Sequence, residues 1–347
     1  MATHRCRFLP EWAPQSGVML TWPHAGTDWA PLLERVEPVY REIAGEILKR
    51  ERLLIVAQDA AHRDHIRGVL EQGGLDLGGV RWALAPANDT WARDHGPITV
   101  VDDTGRPRLL SFRFNGWGEK YAHDLDDRIN DRLADQGVFR VPMETIDLVL
   151  EGGSLEVDSH GTLLTTSQCL LMPRRNPGMR REAIEAALKT HLCLERVLWL
   201  EHGHLAGDDT DAHIDTLARF CSDDTIAYMA CDDPEDEHYA PLQAMEAELR
   251  ALRTREGKPY RLVPLPMPAP IHNAEGDRLP ASYANFLIIN EAVLVPVYGD
   301  ALDPVVLERL DNAFPNHQVI GIDCRALIEQ FGSLHCITMQ LPEGVLQ

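Results

Sequence analysis

The sequence predicts a mixed α/β fold, and three observations lead to this prediction. Short apolar runs typical of strands recur along the chain, stretches with helical spacing of apolar residues lie between them, and several strands come in pairs joined by short turns. Strict alternation of one strand with one helix is absent, which counts against a doubly wound parallel sheet. The chain also has no GxGxxG or GxxxxGK[ST] motif, so a nucleotide cofactor has no support.

The predicted elements are ten strands and six helices. The strands are residues 18–22, 53–57, 98–101, 109–114, 146–150, 163–166, 197–200, 225–229, 286–289 and 293–297. The helices are residues 29–50, 59–72, 124–136, 179–192, 237–255 and 304–314. A hairpin is expected at residues 156–162, and the proline cluster predicts a surface loop at residues 264–282.

Length and composition indicate an ordinary globular protein. The chain has 347 residues, of which 44% are hydrophobic and 25% charged. No apolar run approaches the roughly 18 residues that a spanning helix needs, and the first ten residues contain no apolar stretch of signal-peptide length. The sequence therefore predicts a soluble cytoplasmic protein without a membrane partner.

The formal net charge of −21 limits the choice of partners. A nucleic acid or an anionic membrane surface would be repelled, whereas a small cationic substrate would be attracted. Solubility alone also accounts for such a charge. The charge is compatible with a cationic substrate and does not establish one.

Seven cysteines are present, and their pattern is uninformative. They are Cys6, Cys169, Cys193, Cys221, Cys231, Cys324 and Cys336. Their number is odd and no CxxC pair occurs, so a zinc ribbon and a full disulfide framework are both poorly supported. Reduced thiols in a reducing compartment are expected, most of them as small buried hydrophobic residues.

Two clusters of polar residues flank predicted strands in the first half of the chain. Residues 88–97 contain Asp94 close to Trp91, and a charged turn with one ion pair is the simpler interpretation. Glu151 follows a buried strand and precedes two glycines, which let the backbone approach another group closely. A buried carboxylate is costly unless it is paired, and the alternative is an exposed glutamate in a turn.

A third cluster, at residues 202–215, permits two functional interpretations. His202, His204, His213 and Asp215 are sensible metal ligands, which would suit a metal-dependent hydrolase. Alternatively, His213 is a general acid/base, with Asp215 on the same face of an extended segment. An acidic surface loop is the non-functional interpretation, and it suits Asp208 and Asp209 best.

The fourth cluster contains Cys336, and the clusters make most sense together. A lone cysteine is usually buried and inert, but a cysteine nucleophile needs an acid/base, which His213 can supply. Glu151 can orient that imidazole. Asp94 and Asp215 can pair with a planar guanidinium. The residues are therefore compatible with attack of a thiolate on a guanidino carbon.

Six motifs carry a family resemblance. They are Trp91-Ala-Arg-Asp-His-Gly-Pro97, Phe114-Asn-Gly-Trp-Gly118, Glu151-Gly-Gly-Ser154, Thr210-Asp-Ala-His213-Ile-Asp215-Thr-Leu-Ala-Arg-Phe220, Ser282-Tyr-Ala-Asn285-Phe and Leu334-His-Cys336-Ile-Thr. In this order they strongly resemble the agmatine deiminase family, which includes the bacterial-type peptidyl-arginine deiminases. The resemblance runs from about residue 10 to the C-terminus.

The resemblance implies a fold and a set of residue roles. The fold would be a single pentein domain over residues 1–347, a five-bladed α/β propeller of ββαβ units around a central site. The implied catalytic residues are Cys336 as covalent nucleophile, His213 as general acid/base and Glu151 as the orienting carboxylate. The implied substrate-binding residues are Asp94 and Asp215 as guanidinium clamp, Trp91 in the pocket wall and Asn285 beside the cysteine. In addition, the acidic stretch at residues 208–211 suits an ammonium tail, so Asp209 is expected to contact it.

The resemblance also implies an activity that needs no metal and no organic cofactor. Agmatine would be hydrolysed to N-carbamoylputrescine and ammonia through a covalent amidino intermediate on Cys336. Deimination of free arginine or peptidyl-arginine is the alternative on the same fold, and a non-catalytic guanidino-binding protein is the alternative of another class. A homodimer is expected from the family.

The chain departs from the family pattern at two places. The segment Gln330-Phe-Gly-Ser333 has one glycine where a longer glycine-rich run is frequent, and Ala212 stands where glycine is common. We therefore expect a loop of different shape or stiffness over the site.

Overall fold

The computed structural model describes residues 6–346, and this part of the chain forms seventeen strands and ten α-helices. The strands are β1 (Arg7–Phe8), β2 (Gln15–Thr21), β3 (Arg52–Ala57), β4 (Val80–Leu84), β5 (Ile98–Val101), β6 (Pro107–Arg113), β7 (Met143–Val149), β8 (Glu156–Val157), β9 (Thr162–Thr166), β10 (Arg196–Leu200), β11 (Ala218–Ser222), β12 (Thr225–Ala230), β13 (Arg261–Pro266), β14 (Leu287–Ile289), β15 (Ala292–Val297), β16 (Gln318–Asp323) and β17 (Thr338–Pro342). The helices are α1 (Leu33–Leu48), α2 (Ala60–Gln72), α3 (Ala92–His95), α4 (Gly116–Glu119), α5 (Ile129–Asp135), α6 (Ser167–Leu170), α7 (Arg181–Leu192), α8 (Tyr239–Ala251), α9 (Asp303–Ala313) and α10 (Arg325–Ile328).

Within residues 6–346 the strands form five small sheets with a common plan. Their strand orders are β1-β5-β6-β7, β10-β9-β8, β11-β12-β13, β14-β15-β16 and β17-β2-β3-β4. Each sheet contains an antiparallel pair whose second strand also pairs in parallel with the strand that follows a helix. The predicted mixed α/β fold is confirmed, and the ββαβ plan explains why strand pairs and helices alternate.

One sheet joins the two ends of the chain. Strand β17 pairs antiparallel with β2, with Thr338 opposite Leu20 and Met339 opposite Met19. Cys336 lies two residues before β17, so its position depends on this pairing. The strand β2 is buried along nearly its whole length, as expected for a strand with neighbours on both sides.

The apolar patterns account for the elements that the sequence predicts. All ten predicted strands overlap observed strands, and the hairpin at residues 156–162 is formed by β8 and β9. Helix α1 buries Val36, Val39, Tyr40, Ile43 and Ile47, which lie on one face at helical spacing.

The expected loop at residues 264–282 begins later than predicted. Pro264 and Pro266 belong to strand β13, which pairs with β12 alone in its sheet. Proline is tolerated there because an edge strand has amide groups that need no partner. The prediction was therefore wrong for the first residues of this segment.

The expectation that all cysteines are reduced is also wrong. Cys6 and Cys193 form a disulfide, with Cα atoms 5.5 Å apart. The bond links the residue before β1 to the end of α7 across 187 positions, a proximity that cysteine spacing does not reveal. Five free cysteines remain, and all are buried. A disulfide is more typical of an oxidising compartment, so the cytoplasmic location stays a prediction.

No helix within residues 6–346 combines the length and the apolar character needed to cross a membrane.

Candidate active site

Residues of three of the four polar clusters line one cavity of about 100 Å³, and the cluster that contains Glu151 is not part of its lining. Trp91, Asp94 and Cys336 line it. The lining carboxylates are those of Asp28, Asp89, Asp94, Asp208 and Asp209. Among the described residues that line the cavity there is no lysine or arginine. A cavity with this charge favours a cationic ligand.

Asp94 lies on helix α3, whose four residues are all buried. Its carboxylate accepts hydrogen bonds from the backbone N–H of Gly153 at 3.0 Å and from Nε1 of Trp117 at 2.9 Å. Burial and the carboxylates of Asp215 and Glu151 raise the pKa of Asp94 to about 6, although His213 and Trp117 act in the opposite direction. The segment is therefore a buried helical turn, and its interpretation as a charged turn with one ion pair is wrong.

Glu151 is fully buried and paired with an arginine that the sequence did not single out. The Nε of Arg175 lies 2.7 and 3.0 Å from the two carboxylate oxygens, and its Nη1 donates to Asp211 at 2.7 Å. Burial raises the pKa of Glu151, but Arg175 and His213 outweigh burial and hold it below its ordinary value. The interpretation as an exposed glutamate is wrong, because the carboxylate is ionised and compensated inside the protein.

His213 lies between two carboxylates. Its Nε2 is 3.3 Å from Oε2 of Glu151, and its Nδ1 is 3.6 Å from Oδ1 of Asp94. Burial disfavours the imidazolium, but the charges of Asp94 and Cys169 and hydrogen bonds with Cys169 and Glu151 raise the pKa of His213 well above its ordinary value. The ring is therefore a proton donor at neutral pH.

The backbone around His213 differs from the extended segment that we expected. Residues Ile214–Thr216 form a 3-10 turn. Convergence of the side chains depends on Gly153, because a Cβ atom there would lie 2.5 Å from His213 Nδ1, 2.8 Å from Asp94 Oδ1 and 3.2 Å from Asp215 Oδ2. A glycine at this position lets three polar side chains meet.

Cys336 is buried beside Asp215 and Asn285. Its sulfur lies 3.8 Å from Oδ2 of Asp215 and 3.4 Å from Oδ1 of Asn285. The amide of Asn285 also donates to the backbone oxygen of Asp215 at 3.2 Å and accepts from the backbone N–H of His335 at 2.9 Å. Burial and the charges of Asp215 and Asp94 raise the pKa of the Cys336 thiol well above its ordinary value. The thiol is therefore protonated at neutral pH in the absence of a cation.

Two segments near the cavity have residues with strained backbone angles. Ala212 and Phe331 have φ values of 64° and 66°, a region that favours glycine. These are the two segments where the family pattern led us to expect glycine. Gly332 packs on the Trp91 ring so closely that a Cβ atom would lie 2.2 Å from the ring. Gly332, the single glycine of residues 330–333, thus lies where a side chain would collide with the ring.

Comparison with known proteins identifies the family. Residues 7–342 match the Porphyromonas-type peptidyl-arginine deiminases. The chain belongs to this family. The resemblance predicted from the six motifs is therefore confirmed.

Similar proteins in this group cover nearly the whole chain. A Porphyromonas gingivalis protein provisionally named an arginine deiminase is 52% identical, with a TM-score of 0.92 and coverage of 99% of this chain and 100% of that one. A C. jejuni agmatine deiminase, a Cys-to-Ser variant with substrate bound, is 38% identical, with a TM-score of 0.92 and coverage of 100% and 99%. The agmatine deiminase of Pseudomonas syringae pv. tomato is 34% identical, over 96% of this chain and 94% of the relative.

In this deiminase-family chain a second buried network of hydrogen bonds and ion pairs supports Asp215. The sequence did not indicate this network. Nδ1 of His335 lies 2.7 Å from Oδ2 of Asp215, and its Nε2 lies 2.7 Å from Oε2 of Glu11. Arg219 donates to the same Glu11 oxygen at 2.9 Å. Glu11 is 324 positions from His335, so this contact has no local signal. The network holds the Asp215 carboxylate ionised, since its pKa is lowered by His335 despite burial.

The four residues that could serve as metal ligands of a hydrolase do not come together in this family member. His202 is exposed and contacts Glu248 at 2.7 Å, and His204 is exposed as well. His213 and Asp215, in contrast, are fully buried. The alternative interpretation, in which these four residues share one metal, is therefore wrong.

Proposed function

We propose that this protein is an agmatine deiminase, which hydrolyses agmatine to N-carbamoylputrescine and ammonia. The observation that carries the proposal is a buried thiol, Cys336, beside the carboxylates of Asp94 and Asp215 under a mouth lined by aspartates. The names of relatives that are 34% and 38% identical support it. The family assigns the reaction class, and the charge of the cavity points to a substrate with a cationic tail.

The proposed binding mode places the guanidinium between Asp94 and Asp215. Oδ1 of Asp215 is buried without a hydrogen-bond partner among the described residues, so an acceptor is left for a guanidinium N–H. Trp91 and the half-buried Asp209 both line the cavity. An ammonium tail that extends towards the opening would contact Asp209. Asn285 holds the backbone and the sulfur of Cys336 in place.

The proposed chemistry has two half-reactions. The Cys336 thiol releases its proton to solvent when the guanidinium binds, and the thiolate attacks the guanidino carbon. The C–N bond to a terminal nitrogen then breaks, and the imidazolium of His213 protonates the departing ammonia. An amidino group remains bound to sulfur. His213 then takes a proton from water and the hydroxide adds to the same carbon. The C–S bond breaks as the hydroxyl proton of this adduct passes to sulfur, which leaves the ureido product, the thiol and a protonated His213. Glu151 keeps the imidazole oriented throughout.

The substrate itself supplies part of the activation. A cation about 4 Å from the sulfur, at an effective dielectric constant near 20, stabilises the thiolate by about 4 kcal/mol. This contribution opposes the effect of Asp94 and Asp215, which disfavour the thiolate in the free site. The nucleophile is therefore generated when the guanidinium is bound.

The wider expectations from the family remain part of the proposal. The five sheets would stand as blades of one domain around the site, and the reaction would proceed without a metal or organic cofactor. The homodimer and the cytoplasmic location stay predictions.

Product analysis with agmatine, free arginine and an arginyl peptide in parallel tests the proposal. We expect ammonia and N-carbamoylputrescine from agmatine with the highest kcat/KM, because the aspartates at the mouth repel an α-carboxylate. Cys336→Ala should release no ammonia. Faster turnover of arginine or of the peptide would assign the alternative substrate, and calorimetric binding of agmatine without turnover would assign a binding protein.

A further inference from the structure

A second thiol lies behind the His213 ring, and the proposed reaction does not use it. Sγ of Cys169 is 3.8 Å from Oε2 of Glu151, and Nε2 of His213 is 3.3 Å from the same oxygen. The donor atoms of these three residues all lie within 4.8 Å of one another. All three side chains are fully buried.

We propose that Cys169, His213 and Glu151 form an inhibitory binding site for a zinc-class divalent cation. Zinc binds cysteine sulfur, histidine nitrogen and carboxylate oxygen at about 2.0–2.3 Å in tetrahedral geometry, which puts neighbouring ligand atoms roughly 3.3–3.7 Å apart. The observed separations of 3.3 and 3.8 Å come close to these values before any adjustment of the side chains. Water can take the fourth position.

The surroundings of His213 suit it as a metal ligand. Its Nδ1 faces Oδ1 of Asp94 at 3.6 Å and has no hydrogen-bond partner among the described residues. Binding of a cation requires the imidazolium to lose the proton on Nε2, and a carboxylate on the far side of the ring favours retention of the other proton on Nδ1.

Local structure holds Cys169 beside the histidine loop. Cys169 lies on helix α6, whose first turn is capped by the side chain of Thr166. The hydroxyl of Thr166 donates to the backbone oxygen of Ala212 at 2.7 Å, next to His213. The two segments that supply sulfur and nitrogen are thus joined directly.

A divalent cation would add two positive charges beside Arg175. The Cys169 thiolate and the Glu151 carboxylate oppose these charges, and Arg175 donates to both Glu151 and Asp211 at 2.7 Å. The thiolate is the form of cysteine that binds a metal, so the ion must displace the proton of the Cys169 thiol. Binding therefore strengthens as the pH rises.

Cobalt(II) is a suitable probe, because a thiolate bound to it gives a near-ultraviolet charge-transfer band. We expect this band in the wild-type chain, in Cys336→Ala and in Cys221→Ala, a control that removes another buried free thiol. The band should be absent in Cys169→Ala and in Cys169→Ser, with folding of both variants checked by thermal melting. A band that survives in Cys169→Ala, or one that is lost in Cys336→Ala, would overturn the assignment of the site.

Inhibition is tested separately, because it rests on the proposed role of His213. Zinc should inhibit ammonia release from agmatine, a chelator should restore it, and Cys169→Ala should raise the inhibitory zinc concentration at least tenfold. Equal sensitivity of Cys169→Ala and wild type would overturn the inhibitory role. If no guanidino substrate is turned over, the proposed function fails, whereas the cobalt spectrum still decides whether the metal site exists.

Discussion

The sulfur of Cys336 lies 3.8 Å from Oδ2 of Asp215, and both side chains are buried. A carboxylate at this distance disfavours the thiolate while it attracts a cation. The same residue thus keeps the nucleophile inactive in the free site and recruits the group that activates it. The first prediction follows from this relationship.

Replacement of Asp215 by asparagine should make the thiol more reactive in the absence of substrate. The pKa of Cys336 is raised by burial and then by Asp215, so removal of that charge lowers it. The alkylation rate of Cys336 by iodoacetamide at pH 8, followed by peptide mapping, should rise about tenfold for each pKa unit. Asp209→Asn, at the cavity mouth, serves as control. An unchanged alkylation rate in Asp215→Asn would show that the carboxylate does not govern the thiol.

The decrease of kcat/KM at low pH, the acid limb of its pH profile, should reflect protonation of Asp94. This carboxylate must be ionised to hold a guanidinium, and its pKa is raised to about 6, so kcat/KM should fall as the pH drops through this value. Trp117→Phe removes a hydrogen bond that lowers the pKa of Asp94, and the limb should therefore move to higher pH. Trp199→Phe, whose Nε1 contacts Glu185 away from the cavity, should leave it in place. An identical limb in Trp117→Phe argues against this assignment.

The decrease of activity at high pH, the alkaline limb of the pH profile, should reflect loss of a proton from His213. This residue acts in its protonated form when ammonia departs. The hydrogen bond that His213 donates to Glu151 is one of the contacts that raise the pKa of His213. In Glu151→Gln the imidazolium loses its proton at lower pH, so the alkaline limb should shift downward, with a fall in kcat. Glu248→Gln, next to the exposed His202, is the matched control. A loss of kcat without any shift of the limb would limit Glu151 to a structural role.

Gly332→Ala should impair binding more than chemistry. A Cβ atom at this position meets the Trp91 ring at 2.2 Å, so either the ring or the loop must move. We expect a higher KM for agmatine, a smaller change in kcat and altered tryptophan fluorescence. Gly68→Ala on α2 is the control, because nothing lies within 4 Å of its Cβ, and an alanine in a helix stabilises by roughly 0.5–1 kcal/mol. Unchanged kinetics in Gly332→Ala would mean that the loop adapts freely.

The sequence predicts those parts of the fold that depend on local pattern. Strands such as β12 and β15 are apolar along their length because both faces are covered, and such runs are visible without a structure. Strand β13 was not recognised because its prolines suggest a loop, and only its position at a sheet edge makes them compatible with pairing.

The residues of the candidate site that could be predicted are those that lie in the recognisable sequence motifs. Cys336, His213 and Asp94 were found in this way, but Arg175 and Glu11, which support the site from behind, were not. Arg175 reaches Glu151 over 24 positions, and Glu11 reaches His335 over 324. Such pairs are set by the folding of distant segments and leave no spacing signal. The disulfide between Cys6 and Cys193 escaped prediction for the same reason.

Mass spectrometry of the intact chain, quenched in acid during turnover of agmatine, tests the central claim most directly. We expect a species heavier than the protein by the mass of agmatine less one ammonia, with the added group on the peptide that contains Cys336 and none in Cys336→Ser. Turnover without such a species, or the same group on Cys169, would contradict the assignment of Cys336 as the nucleophile.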